Sequence, residues 1–209
     1  MLQIRLIKAA ILAAAFFSSF SAFSQIQFKL HWMEADQQWG VFARLEEGVD
    51  LNMYTIVGSG QVTLLAPVGT SFKSLQSVSG EWVQNAFISA PEENPEVDYI
   101  SFGLVSNVPE IILQPGEETL LFTFAKRQDE CPEFLSLIDN KTDPMAKYPN
   151  SANANPGNDL SIMDPATTKV YNYTGNYMPK AWDCHPGKAI ALNEYRTGKE
   201  RYRPQVIKP

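Results

Sequence analysis

Histidine is scarce in this sequence, which contains only His31 and His185. Hydrolytic enzymes of the common kinds need a nucleophile beside a base, or an acid and a base in one pocket. His31 lies on the polar face of a predicted strand, and the sequence has no nucleophile elbow, phosphate-binding loop or HExxH motif. We therefore predict a protein that is not an enzyme. The alternative, a secreted hydrolase, requires Glu92 or Glu93 to meet Asp98 and His31 in one cleft.

Long apolar runs are also lacking after Phe23. The chain opens with Arg5 and Lys8, continues with the uncharged run Ala9–Phe23, and has small residues just before Gln25. This order is typical of a secretory signal peptide, and the run is shorter than the roughly 20 residues of a membrane-spanning helix. We predict a signal peptide over residues 1–24, a secreted or outer-cell-surface location, and no membrane span in the mature chain.

Cysteine is limited to Cys131 and Cys184. A structural zinc site needs four ligands, and only His185 adds an imidazole next to this pair, so too few ligands are present to favour zinc. Two cysteines in an exported protein are more typical of a disulfide. Closing a loop of about 50 residues stabilises a fold by roughly 3 to 4 kcal/mol on the chain-entropy model. We predict a disulfide between Cys131 and Cys184.

Basic residues are outnumbered, with 17 Lys and Arg against 23 Asp and Glu. Without the signal peptide the balance is 15 to 23, a net charge of −8, which argues against nucleic acid as a partner. The segment 188–209 is the exception, with two acidic residues and six basic ones: Lys188, Arg196, Lys199, Arg201, Arg203 and Lys208. We predict a basic flexible tail; the alternative is that it contacts an acidic surface or partner.

What is abundant is alternation of period two, the pattern of β-strands. IQFKLHWM from Ile26 and WGVFARLEE from Trp39 alternate and predict a hairpin. Further runs follow at intervals of about ten residues, with LSIM from Leu160 and TKVYNYT from Thr168 as the last strands. Pro132–Ile138 is predicted as one short helix. The pattern predicts an all-β domain over residues 25–187, an antiparallel β-sandwich of about eight or nine strands with a loop-rich C-terminal segment.

Two neighbouring segments, DYISFGLVS and QPGEETLLFTFAK, resemble the end of cohesin-like domains, the β-sandwiches of cellulosome scaffolds and bacterial surface proteins. The runs WGVFARLEEGV, DYISFG and NSANANPGNDLSI are similar to N-terminal modules of large Bacteroidetes-type surface adhesins. The resemblance implies a cohesin-like jelly-roll and a secreted, non-catalytic module for adhesion or cell-surface assembly. The partner it implies is a protein or a polysaccharide at the cell surface, whose identity is unknown.

We expect no cofactor other than Ca²⁺, for which oxygen ligands occur in two stretches. The run PEENPEVDY holds several carboxylates, and the Asn-rich run YPNSANANPGND holds amide oxygens beside one carboxylate. The candidate calcium ligands are Glu93, Glu96, Asp98, Asn155, Asn158 and Asp159. The alternative is two structural loops, because Asn and Asp bond to nearby backbone and Pro fixes φ.

Aromatic residues near the C-terminal end provide a binding candidate. Sugar rings stack on indole and phenol faces, and the flanks of YNYTGNY are polar. The candidate binding residues are Tyr171, Tyr173, Tyr177 and Trp182. If these rings form an exposed row, they favour a carbohydrate-binding module, which is the alternative function. Large aromatic side chains, however, are mostly packed in the core.

Overall fold

The computed structural model describes residues 26–48, 51, 55–126, 134–177, 181–182 and 189–190. The predicted signal peptide, both cysteines and all of the tail except two residues lie outside the described residues. The signal peptide and the disulfide between Cys131 and Cys184 therefore stay predictions.

The regular structure of the described residues is almost entirely β. The strands are β1 (Ile26–Met33), β2 (Gln38–Leu45), β3 (Ile56–Pro67), β4 (Phe72–Ser77), β5 (Glu81–Ser89), β6 (Val97–Ser106), β7 (Glu118–Lys126), β8 (Ser136–Leu137), β9 (Asp159–Asp164), β10 (Lys169–Asn176), β11 (Ala181–Trp182) and β12 (Ala189–Ile190). A 3-10 turn spans Pro144–Ala146. The all-β prediction is confirmed. None of the helical segments described is long and apolar enough to cross a membrane.

The first and the last strands predicted from the alternation of apolar and polar residues are present in the structure. β1 pairs antiparallel with β2 from Ile26 opposite Leu45 to Met33 opposite Gln38, which confirms the predicted hairpin. Phe28 is buried on the inward face. The predicted last strands are also present as the antiparallel pair β9 and β10. Burial on one face of each strand is the reason that the period-two pattern identified them.

Ten strands form one mixed, rolled sheet that is nearly closed. Its order is β4-β7-β2-β1-β10-β9-β3-β6-β5, and β8 also pairs with β3. β10 joins the two halves, because Lys169–Asn172 pair with β9 while Tyr173–Asn176 run beside β1. β1 and β10 are parallel, so the prediction of a purely antiparallel sheet is wrong at this pair. The alternation of apolar and polar residues indicates which face of a strand is buried. It does not indicate whether the neighbouring strand runs parallel or antiparallel.

The inward faces of both halves share one apolar core. Phe102 in β6 has its ring centroid 5.2 Å from that of Phe122 and 6.1 Å from that of Phe124, both in β7. Trp82 in β5 contacts Phe122 at 5.3 Å. Because β6 and β7 stand near opposite ends of the strand order, these ring contacts hold the rolled sheet around its core.

A smaller core lies on the outer face of β3 and β6. Leu65 and Tyr99 pack there against Phe134, Ile138 and other residues of the connection between β7 and β9. Phe134 and Ile138 flank β8, whose Leu137 points into the main core. The predicted helix over Pro132–Ile138 is therefore wrong where the structure describes it, because Leu135 and Leu137 belong to the main core and Phe134 and Ile138 to the smaller one, in an extended segment beside β3.

Candidate functional site

The acidic turn between β5 and β6 is tied to the Asn-rich stretch. Glu93 accepts the Ser151 backbone N–H at 2.7 Å and the Ser151 hydroxyl at 2.5 Å. These two hydrogen bonds, the hydroxyl first, hold the pKa of the Glu93 carboxyl below its usual value. Both carboxylate oxygens of Glu93 thus bind a neighbouring loop, while Glu96 is exposed on the same turn.

Asp98 lies apart from the exposed carboxylates of this turn, because it is fully buried at the start of β6. One of its oxygens accepts the Gly69 backbone N–H at 2.7 Å. Within the described ranges, no group of three or more His, Cys, Asp and Glu side chains is arranged to hold a metal ion. Calcium binding by the acidic turn stays a prediction, and titration calorimetry with calcium measures it directly.

The Asn-rich stretch is held by its own amides. The Asn150 side chain donates to the carbonyls of Met145 at 2.8 Å and Ala154 at 2.7 Å. The exposed Asn155 accepts from the Gly157 N–H at 3.2 Å. Such local bonds to the backbone are what Asn side chains supply in turns, so these contacts support the structural-loop alternative.

Asn158 is the centre of this network and is 3% exposed. Its amide oxygen accepts the Thr63 backbone N–H at 2.7 Å, and its amide nitrogen donates to the Ile138 carbonyl at 3.0 Å and to the Tyr173 hydroxyl at 3.2 Å. Asn140 forms two bonds of 2.8 Å with the Asn158 backbone. The amide oxygen predicted as a calcium ligand is therefore the acceptor for a strand N–H.

Asp159, the last predicted ligand of this stretch, begins β9 and is exposed. It accepts the Ser59 hydroxyl at 2.5 Å, and the Ser59 and Ser161 hydroxyls are 3.1 Å apart. This trio covers the bulge of β3 at Val57–Ser59. Its role in the described contacts is to complete an irregular ladder between β3 and β9.

The three predicted tyrosines do not form an exposed row. Tyr171 is 5% and Tyr177 8% exposed, and the Tyr173 ring packs on Phe28 at 4.7 Å. Burial raises the pKa of the Tyr173 hydroxyl above its usual value. The side chain of Trp182 lies outside the described residues. This burial counts against sugar stacking by the tyrosines.

A charged cluster covers the outer face of β1, β2 and β7. Lys29, only 8% exposed, forms an ion pair with Glu118 and has its ammonium 4.8 Å from the Phe42 ring centroid. The Arg44 guanidinium stacks 3.9 Å from the Tyr177 ring centroid. The Lys29 charge is paired and the Arg44 guanidinium is stacked on a ring. Because Tyr177 directly follows β10, the Arg44 contact attaches the end of β10 to the sheet.

His31 follows Lys29 on this face, and partial burial and the Lys29 charge lower its pKa. Asp98 is in β6, and three strands separate β6 from β1 in the sheet order. Glu93 is bound to Ser151. This placement gives no support to the hydrolase alternative, which needs His31 and these carboxylates in one cleft.

The ion pair predicts a pH-dependent contribution to stability. Partial burial opposes ionisation of Glu118, but the hydrogen bond and charge of Lys29 outweigh it and hold the Glu118 pKa below its ordinary value of 4.5. A carboxyl group whose pKa is lower in the folded than in the unfolded state stabilises the fold at pH values above the unfolded-state pKa. This contribution is lost as the pH falls through the folded-state pKa. We expect Glu118→Gln to cost about 1 to 2 kcal/mol at pH 7, less than a fully buried pair, because the Glu118 side chain is 39% exposed.

Urea unfolding of both proteins at pH 7 and near pH 3 measures this difference. The matched control is Glu117→Gln, which removes the same charge from the adjacent exposed position. We expect the control to match the parent protein within about 0.5 kcal/mol and the Glu118→Gln difference to be smaller at the lower pH. A difference that is undiminished at low pH would contradict the ion-pair explanation.

The feature most suited to binding is the unpaired side of β5. Among the described strands, β5 pairs only with β6 and β4 only with β7. The two strands meet at their connecting turn, where the Ser77 hydroxyl accepts the Trp82 N–H at 2.8 Å. Seven of the nine β5 residues are exposed, and Glu81 carries the only charge in the strand.

The regular part of this edge is short. A bulge interrupts β5 between Gln84 and Ala86, whereas Ala86–Ser89 pair in register with β6. Bulges protect an edge from strand addition, so the accessible part is Ala86–Ser89, which we name the β5 edge. Phe87, at its centre, is 51% exposed. The sequence analysis did not identify β5 as an edge, because that position depends on which strands pair.

No protein-family model matches this chain, and no curated protein is detectably similar to it in sequence.

Proposed function

We propose that this protein is a non-catalytic binding module that works outside the cell, secreted or at the outer cell surface, and joins a partner protein through the β5 edge. The proposal combines the export signal expected from the sequence with the exposed edge strand. The finer proposal for the fold is a cohesin-like jelly-roll sandwich, supported by the two sets of strands that face each other across one aromatic core.

The β5 edge carries the functional proposal. An edge strand presents a row of backbone N–H and C=O groups to solvent, and extended partner segments bind such rows by adding a strand. Natural edges are commonly protected by Lys or Pro, and Ala86–Ser89 contain neither. Phe87 supplies an exposed aromatic side chain of the kind that dominates binding energy at interfaces.

The alternative, carbohydrate binding, receives less support. It needs aromatic faces open to solvent, and the described tyrosines of the predicted row are buried or packed on Phe28. A partner protein is therefore the occupant to test first, with polysaccharides as the comparison.

Retention of envelope proteins by the immobilised mature protein tests this proposal. Phe87→Asp places a charge at the centre of the β5 edge, and we expect it to lower retention of the specific partner at least about tenfold, because aromatic anchors dominate interface energies. Val170→Asp is the matched control, since Val170 is also 51% exposed but lies in β10.

A polysaccharide panel is run with the same three proteins. Protein retention that is lost in Phe87→Asp and kept in Val170→Asp supports the proposal. Equal retention by both variants would show that the partner binds elsewhere, and retention of glycans alone would favour the carbohydrate-binding module.

A further inference from the structure

The hydrogen-bond pattern between β5 and β6 decides which backbone groups of the β5 edge point outward. Just after β5, the Ala90 N–H donates to the Val97 carbonyl at 3.2 Å. Along an antiparallel ladder, residue pairs that exchange hydrogen bonds alternate with pairs that do not, and the register of the β5 edge is regular. Ile88 therefore bonds to β6, whereas the N–H and C=O groups of Phe87 and Ser89 point away from it.

These outward groups are open to a partner strand. Phe87 and Ser89 each supply one donor and one acceptor, and no described residue forms a backbone hydrogen bond with them on the side away from β6. An extended segment that passes along this side meets all of these groups. The half-exposed Phe87 side chain then lies beside a side chain of the segment, where aromatic and β-branched neighbours are favourable. The edge therefore fits an extended segment with an apolar residue at this point.

The Ser89 end of the β5 edge is the negative end. Residues 81–106, which form β5, the turn and β6, contain five acidic residues and no Lys or Arg. Glu92, Glu93 and Glu96 are exposed on the turn that follows Ser89. Asp98 lies opposite Ser89 in β6, is fully buried, and has one carboxylate oxygen without a hydrogen-bond partner among the described residues. Opposite charges attract over about one Debye length, 8 to 10 Å at ordinary salt, so this end favours a cationic group.

A second copy of β5 is not the occupant that these charges favour. In antiparallel addition around Phe87, Glu81 of each copy lies beside the acidic turn of the other. In parallel addition, the two acidic turns lie side by side. Like charges that face each other destabilise a strand pair, and residues 81–106 contain no Lys or Arg that could compensate. The charge therefore indicates a partner with a different, basic segment.

We propose that the β5 edge binds an extended, basic segment of its partner protein. The segment adds a strand along Phe87–Ser89, places an apolar side chain beside the Phe87 ring, and continues into Lys or Arg side chains near Glu92 and Glu96. This inference rests on the proposed function, because it names the class of partner for the same edge. Backbone hydrogen bonds supply affinity in such strand addition, and the carboxylates discriminate against acidic segments.

Amide hydrogen exchange, measured by NMR on the full mature chain, tests the inference. The probes are the peptides KKTVTVT and TVTVTKK, so that either strand direction brings the lysines to the acidic turn. The matched controls are EETVTVT and TVTVTEE. We expect one of the lysine peptides to slow exchange of the Phe87 and Ser89 amides several-fold. Exchange of the Ile88 amide should change less, because this amide is already bonded to β6.

Removal of charge tests the basic preference. Glu92→Gln with Glu96→Gln should weaken binding of the better lysine peptide several-fold, since each exposed charge pair contributes a factor of about two to five. Glu47→Gln with Glu117→Gln is the matched control, because it removes the same charge from exposed positions beside the paired ends of β2 and β7. Equal binding of lysine and glutamate peptides, or exchange at Phe87 and Ser89 that no lysine peptide slows, would overturn the inference.

The two proposals fail separately. Partner retention that is lost in Phe87→Asp, together with lysine peptides that leave the Phe87 and Ser89 amides unprotected, removes the inference and keeps the binding function. Lysine-peptide protection of these amides that depends on Glu92 and Glu96, without any envelope partner that depends on Phe87, supports the inference and contradicts the proposed partner.

Discussion

Phe102→Ala is expected to lower the free energy of unfolding by about 3 to 5 kcal/mol, the usual cost of deleting a buried phenyl ring. Phe102 is 2% exposed and its ring contacts Phe122 and Phe124 on a distant strand of the rolled sheet. Its loss leaves a cavity between the two halves, and a rigid core collapses only partly around such a cavity. Urea unfolding followed by tryptophan fluorescence measures the change.

Phe87→Ala is the matched control for Phe102→Ala. It deletes the same ring from β5, where the side chain is half exposed, and we expect a cost below about 1 kcal/mol. Equal losses in the two variants would mean that Phe102 does not join the halves of the sheet in the way the ring contacts indicate.

Asn158→Leu is expected to cost about 3 kcal/mol. The change keeps the branched shape of the side chain but removes the acceptor for the Thr63 backbone N–H and the donor to Tyr173. A buried donor without an acceptor costs about 1 to 3 kcal/mol, and the other lost bonds add to this. Tyr173 and Asn176 remain bonded to each other at 2.8 Å, so the network is weakened and not abolished.

Asn155→Leu is the control for this second prediction, because the exposed Asn155 side chain accepts one local bond, from Gly157. We expect it to stay within about 1 kcal/mol of the parent protein. Thermal unfolding with and without calcium, run on both variants, also separates the structural role of these amides from a metal site. A calcium-dependent stabilisation that Asn158→Leu abolishes would favour the metal site.

The strands with one buried face could be predicted from the sequence. β1 and β2 alternate clearly, and the hairpin between Met33 and Gln38 follows from the polar residues between them. The same pattern identified β9 and β10 at the other end of the chain. The local hydrogen bonds of the Asn-rich stretch could also be anticipated from side-chain chemistry, because Asn150 bonds to backbone carbonyls as amides in turns usually do.

Features that depend on distant neighbours were not predictable. Ser136–Leu137 form a strand because β3 lies beside them, although the proline before them suggested a helix start. Tyr171 is buried despite the polar residues around it, because its side chain lies in the main apolar core. The position of β5 at an edge likewise depends on which strands pair, and a single sequence does not contain that information.

The parallel pairing of β1 with β10 places the first strand of the described chain beside one of the last, with Ile26 opposite Tyr173. A growing or translocating chain therefore cannot complete this sheet when its first half emerges, because β1 lacks one neighbour until β10 is present. Contacts between residues so far apart in sequence slow folding. The sheet is therefore expected to be completed only after β10 has been synthesised, late in the production of the chain.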